Sequence, residues 1–245
     1  AGTLNVNQLF VTNNTAAATN SLFNFTGGTL NTSNTLGTTV ATIVVTSNGV
    51  FNVNGTWNMV SGNTLMRSAT GGVVGTVFIG NNATNAAVNV LPNVAWTLGG
   101  LNLAIGSGAA TSNAVTVNAG VVSNLNNVSF AGNGGALTVI TGGYVNVTGG
   151  VTAGTVAGAH GNVIRVSGPG STLVSSNAGG TANASLQVGY TTTGEAADNQ
   201  LLIEDGGRVF GLGLFSIGTG IGGGTNKVVV SGANSLLTIA GNINR

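Results

Sequence analysis

Glu204 and Asp205 stand side by side with Arg208 three residues on, a grouping of two carboxyl groups and a guanidinium in a chain with few charges. Two carboxyl groups held about 5 to 9.5 Å apart across a sugar can cleave a glycosidic bond, one as acid and the other as base or nucleophile. Neighbours on a strand point to opposite faces, however, and Asp205-Gly206-Gly207 falls where other parts of the chain have Ser-Gly, so Asp205 reads as a corner residue. Glu195 and Asp198 lie in a long loop with Tyr190, where they could hold a cation or sugar hydroxyls or simply face water. A calcium-dependent polysaccharide site would need more clustered acids and a base near the scissile bond. His160 is the only histidine, so one chain can build neither a histidine triad nor a multi-histidine metal site.

Trp57, Trp96, Tyr144 and Tyr190 would stack on sugar rings if they faced outward and would fill a core if they faced inward. The glycine run Gly218–Gly224 has no helix after it to present an N-terminus to phosphate, which removes a nucleotide site. Glycosylation sequons at Asn13, Asn24, Asn54, Asn82 and Asn146 are no more than chance supplies in a chain so rich in Asn and Thr. The residues therefore assign no catalytic, cofactor or metal site.

Something must position these groups, and composition narrows what it is. With 42% hydrophobic residues and a net charge of +1 the chain has apolar surface to bury and is no disordered polymer. Five basic residues cannot form the basic face of a nucleic-acid binder. No cysteine is present, so packing and backbone hydrogen bonds must supply the stability. No apolar run is long enough to span a bilayer, and no basic segment with an apolar core reads as a signal peptide. Charge is lopsided, for Arg67 is the only charged side chain between Ala1 and Ala159.

The positioning element is a repeat. An Asn, alternating apolar residues and a Gly corner recur at Asn113–Val117, Asn162–Val166, Asn199–Ile203 and Asn226–Val230. A second signature, an apolar residue followed by Gly, recurs at Ile79-Gly80, Ile105-Gly106, Ala131-Gly132, Ala153-Gly154, Val188-Gly189 and Ile217-Gly218. Anchoring the first signature at Phe25, Val45, Arg67, Val90, Val117, Val139, Val166, Ile203 and Val230 gives a period of roughly 26 residues, in the range of solenoids and propellers. Each period holds three short strand-like runs, as in Val115–Val117, Val121-Val122 and Asn127–Ala131, and no window has a helical apolar period. The expected fold is all-β: one parallel β-solenoid over residues 1–245, three short strands per turn, about nine turns and a rod on the order of 45 Å long.

Stacking identical positions builds columns: Val, Ile and Leu inside, Asn at one corner, Gly where φ is positive. The loops Asn81–Thr84, Ser107–Ser112, Thr155–Gly161, Tyr190–Asp198 and Thr219–Thr225 then lie on one edge, with a further insertion near Gly170–Ala184. Such an edge often binds ligands, which makes Tyr190, Glu195, Asp198 and His160 its candidate residues.

The unit Asn226–Gly241 and the strand Leu101–Gly106 resemble the β-helical repeats of bacterial autotransporter passengers and related surface fibres, and the likeness runs along nearly the whole chain. The resemblance implies a right-handed coil and an extracellular or cell-surface location. That group includes adhesins, biofilm components and fibres as well as some enzymes; none of its catalytic motifs maps onto these residues, and an outer-membrane barrel is not part of the sequence.

The repeat is already running at Leu4–Val6 and Leu9–Val11, read as the second and third strands of a turn, and still running at Leu236–Ile239. Uncovered solenoid ends expose sheet edges, which proteins normally cover. Stacking of copies head to tail would cover them and give a filament. Leu4, Val6, Leu9, Val11, Leu236, Ile239 and Ile243 are the candidate contacts, and a longer β-helix continuing past either end is the other account. The expected function is that of a self-associating structural protein and not an enzyme, with no cofactor and no nucleic-acid partner. Glycan binding by a monomeric adhesin segment along the loop edge is the alternative, and a polysaccharide-active enzyme comes third.

Overall fold

The computed structural model describes residues 2–6, 9–11, 22–25, 29–32, 41–45, 50–67, 75–176, 186–191, 194–218 and 224–244. The loop 219–223, residues 177–185 of the insertion, residues 192–193 and the sequon at Asn13 fall outside them, as do the side chains of Val6, Leu9, Val11 and Arg67. The fold is a parallel β-solenoid built from three nine-stranded sheets, each rung giving one strand to each sheet in turn. In one rung Ala114–Asn118, Val121–Leu125 and Val128–Phe130 follow one another, and Ala136–Ile140 then pairs in register with Ala114–Asn118. Among the described residues no helix is long and apolar enough to cross a membrane.

Alternation decides which side chains go inside. In the first sheet Leu30, Trp57, Val88, Val115, Leu137, Ile164 and Leu201 share one register column and are all buried. In the third sheet Phe51, Val77, Leu103, Val128, Val151, Leu186 and Phe215 do the same. Because the strand period is two, a one-residue slip would turn every one of these side chains to solvent, and that fixes the register. One part of the core is aromatic: Phe51, Trp57 and Trp96 come one from each sheet, with ring centroids 5.4 Å apart for Phe51–Trp57 and for Trp57–Trp96. Both tryptophans are fully buried, so they pack the core and are closed to sugar.

The phase of the first rungs differs from the sequence reading. Phe25 lies in the third sheet, and Val45 and Arg67 lie in the second. The Asn-headed sheet passes instead through Thr3–Val6, Thr29–Thr32 and Thr56–Met59. Leu4–Val6 and Leu9–Val11 are accordingly first and second strands of a turn. Gly precedes Thr at the head of these three strands, so the Asn that marks the later ones is missing. A different ladder replaces it on the outer face: Asn31 Nδ2 donates to Asn5 Oδ1 at 2.8 Å, and Asn89 Nδ2 to Asn58 Oδ1 at 2.8 Å.

The corner entering the first sheet carries the Asn of the repeat inside the coil. Asn113, Asn162 and Asn199 are buried. A buried amide must be hydrogen-bonded to be tolerated. Here each Oδ1 accepts the backbone N–H of the rung before: Ala86 to Asn113 at 2.8 Å, Gly135 to Asn162 at 2.8 Å, Asn162 to Asn199 at 3.1 Å and Asn199 to Asn226 at 2.9 Å. The Nδ2 of Asn113, Asn199 and Asn226 donates back to a loop carbonyl, that of Ala83 at 3.0 Å, Ala159 at 3.1 Å and Ala196 at 2.8 Å, while Asn162 Nδ2 donates forward to Asn199 Oδ1 at 2.9 Å. Corners between the first and second sheets use serine. Ser171 Oγ donates to the Ser167 carbonyl at 2.7 Å and accepts the Gly142 N–H of the previous rung at 3.0 Å; Ser235 does the same between Ser231 and Gly206.

Candidate functional site

Three places hold the residues that could act: the loop edge, the charged outer face and the terminal rungs. On the loop edge the loops stack on each other through their backbones, Asn82 N–H to Ser107 carbonyl at 3.0 Å, Asn85 to Thr111 at 3.1 Å and Ser112 to Asn133 at 2.9 Å. These loops thus continue the coil, and much of their backbone polar capacity is already used. His160 is held from both sides. Its N–H donates to Asn133 Oδ1 at 2.9 Å, and its Nδ1 accepts the Ala197 N–H at 3.0 Å. An Nδ1 that accepts leaves the proton on Nε2.

Glu195 and Asp198 come from the next loop, joined to that of His160 by Gly158 N–H to Glu195 carbonyl at 2.8 Å and Gly161 N–H to Ala197 carbonyl at 3.1 Å. Both are exposed. Asp198 sits at a left-handed corner with φ of 58° and accepts the Thr225 hydroxyl. Tyr190 begins the same loop and is 36% exposed. Backbone bonds thus bring the loop of His160 against that of Glu195 and Asp198, but among the described residues no three His, Cys, Asp or Glu side chains gather to hold a metal ion.

Glu204 and Asp205 do not face each other across a cleft. Glu204 ends its strand on the outer face of the first sheet, where its Oε2 meets Arg165 Nε of the preceding rung at 2.9 Å. Asp205 forms the following corner with φ of 52° and accepts the Ser167 hydroxyl at 3.5 Å. Arg208 is exposed on the second sheet. The ion pair is open to water, 49% and 24% exposed for its two side chains, and contributes about 0–1 kcal/mol. Arg165 was not legible as the partner of Glu204, because an irregular insertion of loop residues separates their rungs.

At the terminal rungs the core columns come to the surface. Leu4, in register with buried Leu30, is 42% exposed. At the other end Val228 and Val230 continue the columns of Leu201 and Ile203, and Val230 is 47% exposed. Ile239 is in register with buried Gly211, and Ile243, in register with buried Phe215, is 65% exposed. Leu236 is different. It is in register with exposed Arg208 and points outward, while Leu237 continues the buried Val209 column. The sequence reading named Leu236, which faces outward, and did not name Leu237, Val228 or Val230. For Val6, Leu9 and Val11 the backbone register is defined, to Thr32, Ile43 and Val45.

No family model, curated protein or solved structure matches the chain. The candidate site rests on its own geometry.

Proposed function

We propose that the chain is an extracellular structural protein of a bacterial cell surface, the subunit of a fibre or layer in which copies stack head to tail. In this reading the coil is right-handed, as the likeness to autotransporter passengers implies, and its nine strands per sheet make about nine turns. The observation that carries it is the unbroken parallel register of three sheets along the chain, a repeat that a rung from another copy would extend. An apolar column ending beside unpaired strand edges is a template for another strand. A net charge of +1 puts little repulsion between stacked copies.

The test is negative-stain electron microscopy of the 245-residue chain over a concentration series, beside a Leu4→Lys/Leu237→Lys variant whose circular dichroism matches the parent. Filaments in the parent and none in the variant support assembly through the ends. Dispersed rods at every concentration overturn it. The second reading is a monomeric adhesin segment that binds glycans along the loop edge, favoured by the exposure of Tyr190, Glu195 and Asp198. Retention on a polysaccharide column that Tyr190→Ala abolishes would support it. A polysaccharide-active enzyme would have to show turnover that Glu204→Gln or Asp205→Asn removes.

A further inference from the structure

We infer that His160 makes one joint of the loop edge sensitive to acid. Its neutral imidazole fastens the loop of Glu195 and Asp198 to the rung before, and a proton on Nδ1 undoes that fastening. The inference rests on neither reading of the function, since it concerns only how one loop is held.

The loops carry a stack of equivalent positions. Ser112 N–H donates to the Asn133 carbonyl at 2.9 Å, Gly134 N–H to the His160 carbonyl at 2.9 Å and Gly161 N–H to the Ala197 carbonyl at 3.1 Å. Asn133, His160 and Ala197 therefore take the same place in three successive rungs. At that place a side chain accepts the backbone N–H of the following rung: Asn133 Oδ1 takes that of His160 at 2.9 Å, and His160 Nδ1 takes that of Ala197 at 3.0 Å. Earlier on the edge Asn82 Oδ1 accepts the Ala109 N–H at 3.2 Å in the same way.

The acceptor changes its chemistry along this stack. The amide oxygens of Asn82 and Asn133 accept at either end of the ordinary pH range, because amides do not titrate there. An imidazole nitrogen accepts only while its lone pair is free, and both ring nitrogens of the charged ring are donors. His160 is the only histidine, so its joint alone among these three is built on a group that changes charge between about pH 5 and pH 8.

Losing the acceptor matters because the donor is buried. Ala197 is 7% exposed, so its N–H has little water to turn to, and an orphaned buried donor is costly. The loop keeps its other ties, Gly158 N–H to the Glu195 carbonyl and Gly161 N–H to the Ala197 carbonyl. Acid therefore loosens the loop at Ala197 without unwinding the coil. The titratable side chains on the loops stacked against His160 are Tyr190, Glu195 and Asp198, all on the loop it holds; residues 131–135 and the rest of 155–161 bring none. The charge that the ring gains is thus answered by two carboxylates and by no cation of those loops. Presentation of Glu195 and Asp198 at the surface then depends on pH.

Hydrogen exchange resolved to single amides, and corrected for the intrinsic rate at each pH, tests this on the 245-residue chain at about pH 8 and about pH 5. The backbone amide of His160, held by Asn133, is the internal reference. The inference expects protection of Ala197 to fall about tenfold or more at the lower pH while that of His160 holds. His160→Asn sets an amide oxygen where Nδ1 stood, as in the rung before, and should keep Ala197 protected at both pH values. His160→Ala should leave it unprotected at both. Equal protection of Ala197 in the parent at the two values overturns the inference, as does a fall shared by the His160 reference or repeated in His160→Asn. An Ala197 amide that is unprotected in the parent throughout overturns it too. If His160→Ala does not fold, the parent and His160→Asn decide alone.

Discussion

The side-chain amide of Asn226 fills the space beside Gly189 in the previous rung, where Gly189 holds a left-handed φ of 72° and any Cβ would overlap that amide. The same relation joins Asn113 to Gly80 and Asn199 to Gly154. The two signatures of the repeat, the Asn at the head of one strand and the Gly at the tail of another, are thus two halves of one contact between successive rungs.

Gly189→Ala should cost about 2–3 kcal/mol, from left-handed strain and from overpacking against the Asn226 amide. In an Asn226→Gly background the overlap is gone and only the backbone strain remains. Urea unfolding of the two single variants and the double variant should therefore show coupling of at least about 0.5 kcal/mol. Strict additivity would contradict the contact.

Asn199→Ala removes an amide that accepts from Asn162 and donates to Ala159, and it leaves those groups buried without partners. The expected loss is about 2–4 kcal/mol, since each orphaned buried group costs about 1–3 kcal/mol. Asn5→Ala, at the exposed end of the outer ladder, should cost less than about 0.5 kcal/mol. Chemical denaturation of both variants makes the comparison.

Trp96 is buried, and its indole Nε1 has no hydrogen-bond partner. Trp96→Phe removes that unsatisfied donor while keeping an aromatic ring against Trp57, so it should cost about 1 kcal/mol or less, against about 3–5 kcal/mol for Trp96→Ala. The fluorescence of the parent should be that of shielded indoles, because both of its tryptophans are buried.

Leu236 and Leu237 offer a direct test of facing. If the ends mediate assembly, Leu237→Lys should abolish filaments and Leu236→Lys should leave them, as read by sedimentation and electron microscopy. The reverse result would place the contact on the outer face of the second sheet.

Arg165→Ala and Glu204→Ala should each change stability by less than about 1 kcal/mol, the range of exposed ion pairs, with the difference shrinking in high salt. Thermal unfolding at two salt concentrations reads this.

The architecture was legible because it repeats. Val, Ile and Leu at alternate positions, with Asn113, Asn162, Asn199 and Asn226 at one corner, suffice to announce three short strands per rung. The phase of the early rungs was not, because Gly-Thr replaces the Asn signal at Thr3 and Thr56. Leu236 and Leu237 are indistinguishable by type, and only pairing with Arg208 and Val209 says which faces in. The serine corners at Ser171 and Ser235 look like ordinary turn residues until the Gly N–H of the neighbouring rung arrives beneath them. On the loop edge the sequence marked His160, Glu195 and Asp198 as neighbours, but their hydrogen bonds depend on loop lengths that vary from rung to rung.

The asparagine corner has a direction. Ala86, Gly135, Asn162 and Asn199 each give their N–H to an amide that arrives only with the next rung, on the C-terminal side. Each of these corner N–H groups is therefore paired only when the following rung is in place. Stability in such a quasi-one-dimensional array is passed from neighbour to neighbour. At these corners it is the C-terminal neighbour that supplies the amide oxygen, so losing a rung would unpair the corner N–H of the rung before it.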